Sequence, residues 1–458
     1  MNKLILRTDS YKTSHFLQFP PGTEGTNYYF ESRGGAFPET VFFGLQYILR
    51  EYLSKPITRE DVDYAEKRLV KHGVPFNRAG WDRIVDVHGG FIPMRIRAVP
   101  EGSVVPVHNA LMTVESTDPQ LPWIPGYFET LLERVWYPTT VATLSHFIRR
   151  IIKKSMDLTS DDPEGVAFKL HDFGARGVSS AESAALGDCA HLVSFMGTDT
   201  VEGLEMALEH YFEDMAGFSI PAAEHSTITS WGRENEAAAF SNMLKQFAHP
   251  GSLVAVVSDS YDLWNAIDNL WGRQLRQQVI DSGATVVVRP DSGDPVQIVL
   301  SCLQRLDAAF GHTVNSKGYR VLNHVRVIQG DGVNISSIGD ILGSTNSAGY
   351  ATTNVAFGSG GALLQKVDRD TQKFAYKCCE ATVAGVSVPV FKDPVTDPGK
   401  RSKSGRLDLV RHINGEYRTV QAPNGPAHLT VMKTVFEDGR VFADDTLKAI
   451  RERAASVL

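Results

Sequence analysis

Short apolar runs recur through the middle of the chain, each ending in glycine and polar residues and followed by a helical pattern. They are Ala167–Phe173 (then GARG), His191–Phe195 (then MGTDT), Leu253–Val257 (then SDSYD), Thr285–Val288 (then RPDSGDP), Val325–Ile328 (then QGDGV) and Thr353–Phe357 (then GSGG). Apolar runs alternating with helices read as βα units around a parallel sheet. The wide interval after the second run has room for one more unit, near Phe218–Ala222. Six or seven units over about 200 residues suit an irregular TIM-like (β/α) barrel better than an open sheet. Ser179-Ser180-Ala181-Glu182 reads as a capping box. Ser226 or Thr227 is placed to cap a long helix carrying Trp231 through Phe247.

The flanks have a different rhythm. Ile92–Val99 and Ser103–Glu115 alternate and are broken by Pro and Gly, as strands are. Near the C-terminus, Asn414-Gly415 sits between two strand-like runs in RLDLVRHINGEYRTV, a hairpin signal. The expected fold class is therefore α/β: an irregular barrel plus a second, β-rich domain built from the N- and C-terminal parts. The expected divisions are 1–150 (mainly β-rich), 151–375 (the barrel and active site) and 376–458 (the return to the β-rich domain). The stretch 392–406, KDPVTDPGKRSKSGR, is either an exposed linker or a mobile loop over the site.

Composition narrows the class. A chain of 458 residues with 42% apolar and 22% charged residues can bury a large core and is not disordered as a whole. Forty-six Lys and Arg against 53 Asp and Glu give a net charge of -7, which argues against a dedicated nucleic-acid binder. The 4 Cys form no C-x-x-C pair, and adjacent Cys378 and Cys379 would point to opposite faces of a strand. No signal peptide and no apolar run of about 18 residues is present. The expectation is a reduced, cytoplasmic protein with no membrane partner.

In parallel α/β folds, ligands sit beyond the carboxyl ends of the strands. The candidates are thus His171, Asp172, Arg176, Asp199, Asp259, Arg289, Asp291, Asp331 and the glycines of GSGG. Carboxylates suit Mg²⁺ and ribose hydroxyls, arginines suit phosphate, and a Gly-rich turn into a helix offers N–H groups to phosphate. Each has a plainer reading. Gly358–Gly361 also fits a tight strand-to-helix turn. Arg289 and Asp291 fit a surface turn with a local ion pair. Asp199 fits an N-cap, His225 a structural position before a helix, and Phe173 the core. Joint placement at one end of successive strands favours a phosphate-handling enzyme.

The strings TDSYK (8–12), HDFGARGVSS (171–180), FMGTDT (195–200), PAAEHSTITSWG (221–232), VSDSYD (257–262), VRPDSGDP (288–295), VIQGDGV (327–333), AFGSGGALLQK (356–366) and FKDPVTDPGKRSKSGRL (391–407) resemble, in order, those of the nicotinamide phosphoribosyltransferase family. The resemblance implies the type II phosphoribosyltransferase fold and a homodimer with active sites at the interface. It implies transfer of phosphoribosyl from phosphoribosyl pyrophosphate to nicotinamide, giving nicotinamide mononucleotide and pyrophosphate in NAD salvage. Mg²⁺ is the implied cofactor and ATP a facultative co-substrate.

Roles carried over by matched position are these. Phe173 and the partner subunit's Tyr11 resemble the aromatics that sandwich the pyridine ring. Asp199 resembles the carboxylate that accepts from the carboxamide NH₂, which would disfavour nicotinate. Arg289 resembles the arginine at the amide oxygen and ribose side. Asp291, Gly330 and Asp331 resemble ribose contacts, and Asp259 with Asp291 would lie near magnesium and pyrophosphate. Gly360 and Gly361, with Arg369 and Lys377 from the other subunit, resemble the 5′-phosphate cradle. Arg176, Arg33, Lys392 and Lys400 resemble the pyrophosphate and ATP-phosphate clamp, making 392–406 a phosphate-binding loop. His225 resembles the histidine that ATP phosphorylates, with Glu224 or Asp259 to orient it. Ala175 and Ala375 depart from the family pattern, in place of a bulky aromatic and a small hydroxyl. The alternatives are a nicotinate phosphoribosyltransferase, or a non-catalytic binding protein of the same fold.

Overall fold

The computed structural model describes residues 2–396, 401–422 and 429–457. It divides into two compact units: one from the N-terminus to Thr143 with Glu209–Glu213 and Asp368–Val457, the other Leu144–Leu208 with Asp214–Val367. Composition placed the divisions after 150 and after 375. Glu209–Glu213 joins the first unit because Tyr211 stacks on Phe43 with ring centroids 4.8 Å apart and His210 meets Tyr47 edge-on.

The second unit is built on a parallel sheet in the order Gly197–Thr198, Leu170–Asp172, Val355–Ser359, Val325–Gln329, Thr285–Arg289, Leu253–Val257. Runs such as LVAVV and TVVVR are rich in β-branched residues because parallel strands are buried on both faces. The two edges of this sheet are joined by the segment 218–222, through parallel bridges Gly197↔Phe218 and Ala222↔Ala255. Thr198 N donates to Phe218 O, and Ala255 N to Pro221 O. The ring thus closes as the irregular barrel expected, with the extra unit where the spacing left room for it. Ala255, Val287 and Ile328 fill the interior, with Phe173, Ile220 and Ala356 packed against them.

Two local expectations are corrected. His191–Phe195 is not a strand: the helix Ala181–His191 runs into it, and the strand is Gly197–Thr198. Leu192 N and Phe195 N bond back to Asp188 O and His191 O, so their amides are spent in turns. A short apolar run cannot tell a buried strand from a buried helix end. Likewise, no single helix carries Trp231 through Phe247. Glu224, not Ser226 or Thr227, caps the short helix His225–Thr229; Gly232 then turns the chain at φ +79°, and a separate helix, Glu236–Phe247, follows. The cap at 179–182 is shifted by one residue, with Ser180 Oγ accepting from Ser183 N.

The first unit is an antiparallel sheet in the order Val386–Pro389, Phe374–Val383, Thr23–Ser32, Ala110–Ser116, Met94–Ala98, Lys433–Glu437, Arg440–Val441. Strands from the C-terminal part flank those of the N-terminal part on both sides, as the patterning of the flanks implied. Phe30 stacks on Phe374 across the central pairing. Leu407–Arg411 and Tyr417–Gln421 form the hairpin around Asn414-Gly415. The neck of the 392–406 loop is tied: Lys392 N donates to Ser402 Oγ, and Ser402 N to Lys392 O.

Candidate active site

Most of the candidate residues stand at the carboxyl ends of the barrel strands. His225 opens the helix His225–Thr229, and its Nε2 lies 3.0 Å from Asp259 Oδ1. Its Nδ1 faces Asp291 Oδ2 at 3.9 Å. The ring therefore stands between two carboxylates and is about half exposed. Asp259 follows the strand Leu253–Val257, and its other oxygen accepts from Asp291 N (3.0 Å) and Ser292 Oγ (2.7 Å). Burial works to raise the Asp259 pKa, but the bonds from Ser292, His225 and the Asp291 amide outweigh it and hold the group below the ordinary carboxylate value. Glu224, the other candidate to orient His225, is occupied as the helix cap and accepts from Ser226 Oγ.

Arg289 ends its strand with Nη2 3.7 Å from Asp291 Oδ2, and its Nε is buried with no hydrogen-bond partner. Phe173 follows Leu170–Asp172, and its amide bonds to Ser359 O. Its ring lies over Gly330 and against Gly358, where an added Cβ would stand 1.9 Å from Cε2. Phe173 also packs on the barrel interior, as its core reading expects. Asp199 is exposed between buried Thr198 and Thr200 and accepts from Ser219 Oγ at 2.5 Å. Gly360 and Gly361 lead into the turn Gly361–Leu364. A Cβ on Gly177 would come 3.6 Å from the Gly361 amide, which brings the exposed Arg176 turn alongside that amide. Asp331 is exposed beside Gly330, its carbonyl held by Gln329 Nε2.

Two of the strand-end candidates face elsewhere. Asp172 is fully buried, accepting from Gly174 N and Thr200 Oγ1, and is part of the scaffold. His171 is largely buried, which lowers its pKa, and lines a cavity of about 470 Å³ with Lys169, Ser219 and Ile220.

The remaining candidates lie in the first unit. Tyr11 is exposed on the turn Ser10–Leu17. Arg33 pairs with Glu31 at 2.9 Å, and its Nη2 is buried without a partner. Lys403 shares Glu31. Arg369 lies 3.6 Å from Glu133. Lys377 Nζ donates to Tyr376 O, and burial lowers its pKa. Lys392 is exposed at the loop neck, and Lys400 lies outside the described residues. Ala375 is buried opposite Glu31.

Sequence reasoning passed over Ser219, Ser292 and Asp188. Ser292 stands inside the RPDSGDP string and was within reach. Asp188 carried a fainter signal, an acid within the otherwise apolar helix segment AALGDCAHLV.

Residues 3–96 match the family model described as nicotinamide phosphoribosyltransferase, N-terminal domain, and residues 168–440 that of the nicotinate phosphoribosyltransferase (NAPRTase) family. The chain is 59% identical to a nicotinamide phosphoribosyltransferase of Xanthomonas campestris pv. campestris, over 99% of this chain and 98% of that one. It is 31% identical to one of Acinetobacter baylyi, over 98% and 96%. Among solved structures, nicotinate-nucleotide pyrophosphorylase of Pyrococcus furiosus superposes with a TM-score of 0.62 at 16% identity, covering 99% of this chain and 95% of that one. Human nicotinic acid phosphoribosyltransferase gives 0.56 at 16% identity, covering 98% and 93%. At that identity the two structures speak to the fold.

Proposed function

Because the chain belongs to the nicotinamide phosphoribosyltransferase family, we infer that it is a pentosyltransferase of NAD salvage, forming nicotinamide mononucleotide and pyrophosphate from nicotinamide and phosphoribosyl pyrophosphate. The pyridine nitrogen attacks the anomeric carbon, a C–N bond forms, and the C–O bond to pyrophosphate breaks. A neutral, weak nucleophile must meet a highly charged sugar, so positioning and charge stabilisation dominate.

The observation that carries the choice of base is Asp199. Ser219 occupies one of its oxygens and leaves the other to accept from the carboxamide NH₂. A nicotinate carboxylate would meet like charge at that point. Phe173 offers a flat face for the ring, and Arg289 a donor to its amide oxygen. Asp291, Gly330 and Asp331 serve the ribose. Gly360 and Gly361 serve the 5′-phosphate, helped by Arg369 and Lys377. Arg176, Arg33, Lys392 and Lys400 clamp the pyrophosphate and ATP phosphates. In this reading the enzyme is a cytoplasmic homodimer, with Tyr11, Arg369 and Lys377 supplied by the second copy.

Among the described residues no group of three or more His, Cys, Asp or Glu is placed to hold a metal ion. Asp259 and Asp291 are hard oxygen donors, and magnesium is commonly bound by one or two carboxylates together with substrate phosphates. These two residues would hold it, where it would neutralise charge on the leaving pyrophosphate.

ATP coupling runs through His225. Asp259 Oδ1 accepts a hydrogen bond from Nε2–H, which leaves the lone pair on Nδ1, the nitrogen on the Asp291 side. Nδ1 then accepts the γ-phosphoryl group, ADP leaves, and Asp259 stabilises the positive ring. Transfer proceeds without ATP, less favourably.

The test is product formation from phosphoribosyl pyrophosphate and magnesium with nicotinamide or nicotinic acid, each with and without ATP. Nicotinamide mononucleotide, boosted by ATP, is the expected result. A preference for nicotinic acid would overturn the base-recognition argument. Among the described residues no helix is long and apolar enough to cross a membrane.

A further inference from the structure

Asp188 and Asp172 are both fully buried in the second unit and are linked through Thr198 and Thr200. Asp188 lies on the helix Ala181–His191, with Oδ1 accepting from Thr198 Oγ1 at 2.6 Å. Thr198 Oγ1 in turn accepts from Thr200 N at 2.9 Å. Asp172 Oδ2 accepts from Thr200 Oγ1 at 2.7 Å, and Oδ1 from Gly174 N at 2.7 Å. The Asp172 carbonyl accepts from Asp199 N at 3.0 Å. The residues on both sides of Asp199, and on both sides of Phe173, are therefore tied to one buried acid pair. Asp188 Oδ2 meets no N–H or ordinary O–H donor, and Gly203 lies so close that a Cβ there would stand 1.9 Å from it.

We propose that Asp188 is a positioning residue for the base pocket: through Thr198, Asp172 and Thr200 it sets the spacing between the Asp199 carboxylate and the Phe173 ring. Burial, and then the charge of Asp172, push the Asp188 carboxyl well above the usual range. Asp188 accepts from Thr198, which accepts in turn from the Thr200 amide. Asp172 keeps its acceptor capacity for Thr200 and Gly174. Four of these hydrogen bonds are buried and specific, and a small displacement of a substrate contact is costly in rate or binding.

This inference rests on the reading of Asp199 and Phe173 as nicotinamide contacts, and the experiment separates the two. Steady-state kinetics and thermal unfolding are measured on wild type, Asp188→Ala, Asp188→Asn, Gly203→Ala and Asp199→Asn. Asp188→Ala is expected to raise the KM for nicotinamide about tenfold. Its KM for phosphoribosyl pyrophosphate should stay within about twofold. Asp188→Asn, whose oxygen still accepts from Thr198, is expected to restore the nicotinamide KM. If Asp188→Ala does not fold, Gly203→Ala, which pushes the Asp188 carboxyl aside, is expected to show the same selective rise. A lowered melting temperature with an unchanged nicotinamide KM overturns the proposal, as does an equal rise in Asp188→Asn. If Asp199→Asn leaves nicotinamide use untouched, the base-site reading itself fails.

Discussion

His225 Nε2, at the start of the helix His225–Thr229, and Asp259 Oδ1, just beyond the strand Leu253–Val257, lie 3.0 Å apart although 34 residues separate them in sequence. The same Asp259 holds the Asp291 amide and the Ser292 hydroxyl, so one carboxylate orients both the histidine and the turn that carries Asp291. Removing His225 should abolish phosphoenzyme and ATP hydrolysis while leaving slow ATP-independent transfer. Asp259→Asn should slow phosphoenzyme formation about a hundredfold, because the ring loses its charged partner. Rapid-quench labelling with γ-labelled ATP checks both, and labelled protein in His225→Ala would refute the role.

Asp199 stands exposed at a strand end with Ser219 on one oxygen. Asp199→Asn or Asp199→Ser should cut nicotinamide use strongly and relax the preference for amide over acid. The ratio of kcat/KM for the two bases reports it. An unchanged nicotinamide rate in either variant would sink the assignment of Asp199.

Phe173 rests against Gly358 with no space for a methyl group between them. Gly358→Ala should force the ring from its place at a cost of about 1–3 kcal/mol. Both a lower melting temperature and a higher KM for nicotinamide are expected. A variant that melts lower but binds the base normally would show that the ring moves without serving the base.

His146 is fully buried in the long helix Trp136–Thr159, and neither ring nitrogen has a hydrogen-bond partner. Burial, with the nearby Arg150 and Arg149 charges, lowers its pKa to about 4. Unfolded, the ring titrates near 6.5, so between about 4 and 6.5 the unfolded chain binds the extra proton. Stability should therefore fall as pH drops through that window, by up to about 3 kcal/mol from this residue. Denaturant titrations at pH 7 and pH 5 on wild type and His146→Leu check it. The acid loss should be smaller in the variant, and an equal loss in both would assign the effect to other groups.

Much of the architecture was legible in the chain. Runs such as LVAVV and TVVVR have the unbroken apolar character that strands buried on both faces require, and their boundaries were read almost to the residue. The unit near Phe218–Ala222 was placed by spacing and closes the ring through bridges at both ends of that segment. His191–Phe195 was misread because a helix end and a strand look alike over five apolar residues. The break at Gly232 was missed because a single glycine inside a helical pattern is tolerated as often as not.

The sequence by itself determined which residues stand at strand ends, because alternation of apolar runs and polar turns is a local property of the chain. It determined the family, because the motifs are long and occur in order. Only the tertiary structure decided which neighbour each side chain meets. Asp259 rather than Glu224 orients His225, since Glu224 is consumed as a helix cap. Asp172 is fully buried and accepts from Thr200 Oγ1, while Asp199, one strand over, stays exposed. The physical reason is that hydrogen-bond partners and burial depend on residues distant in sequence, which the barrel closure brings together and no local pattern encodes.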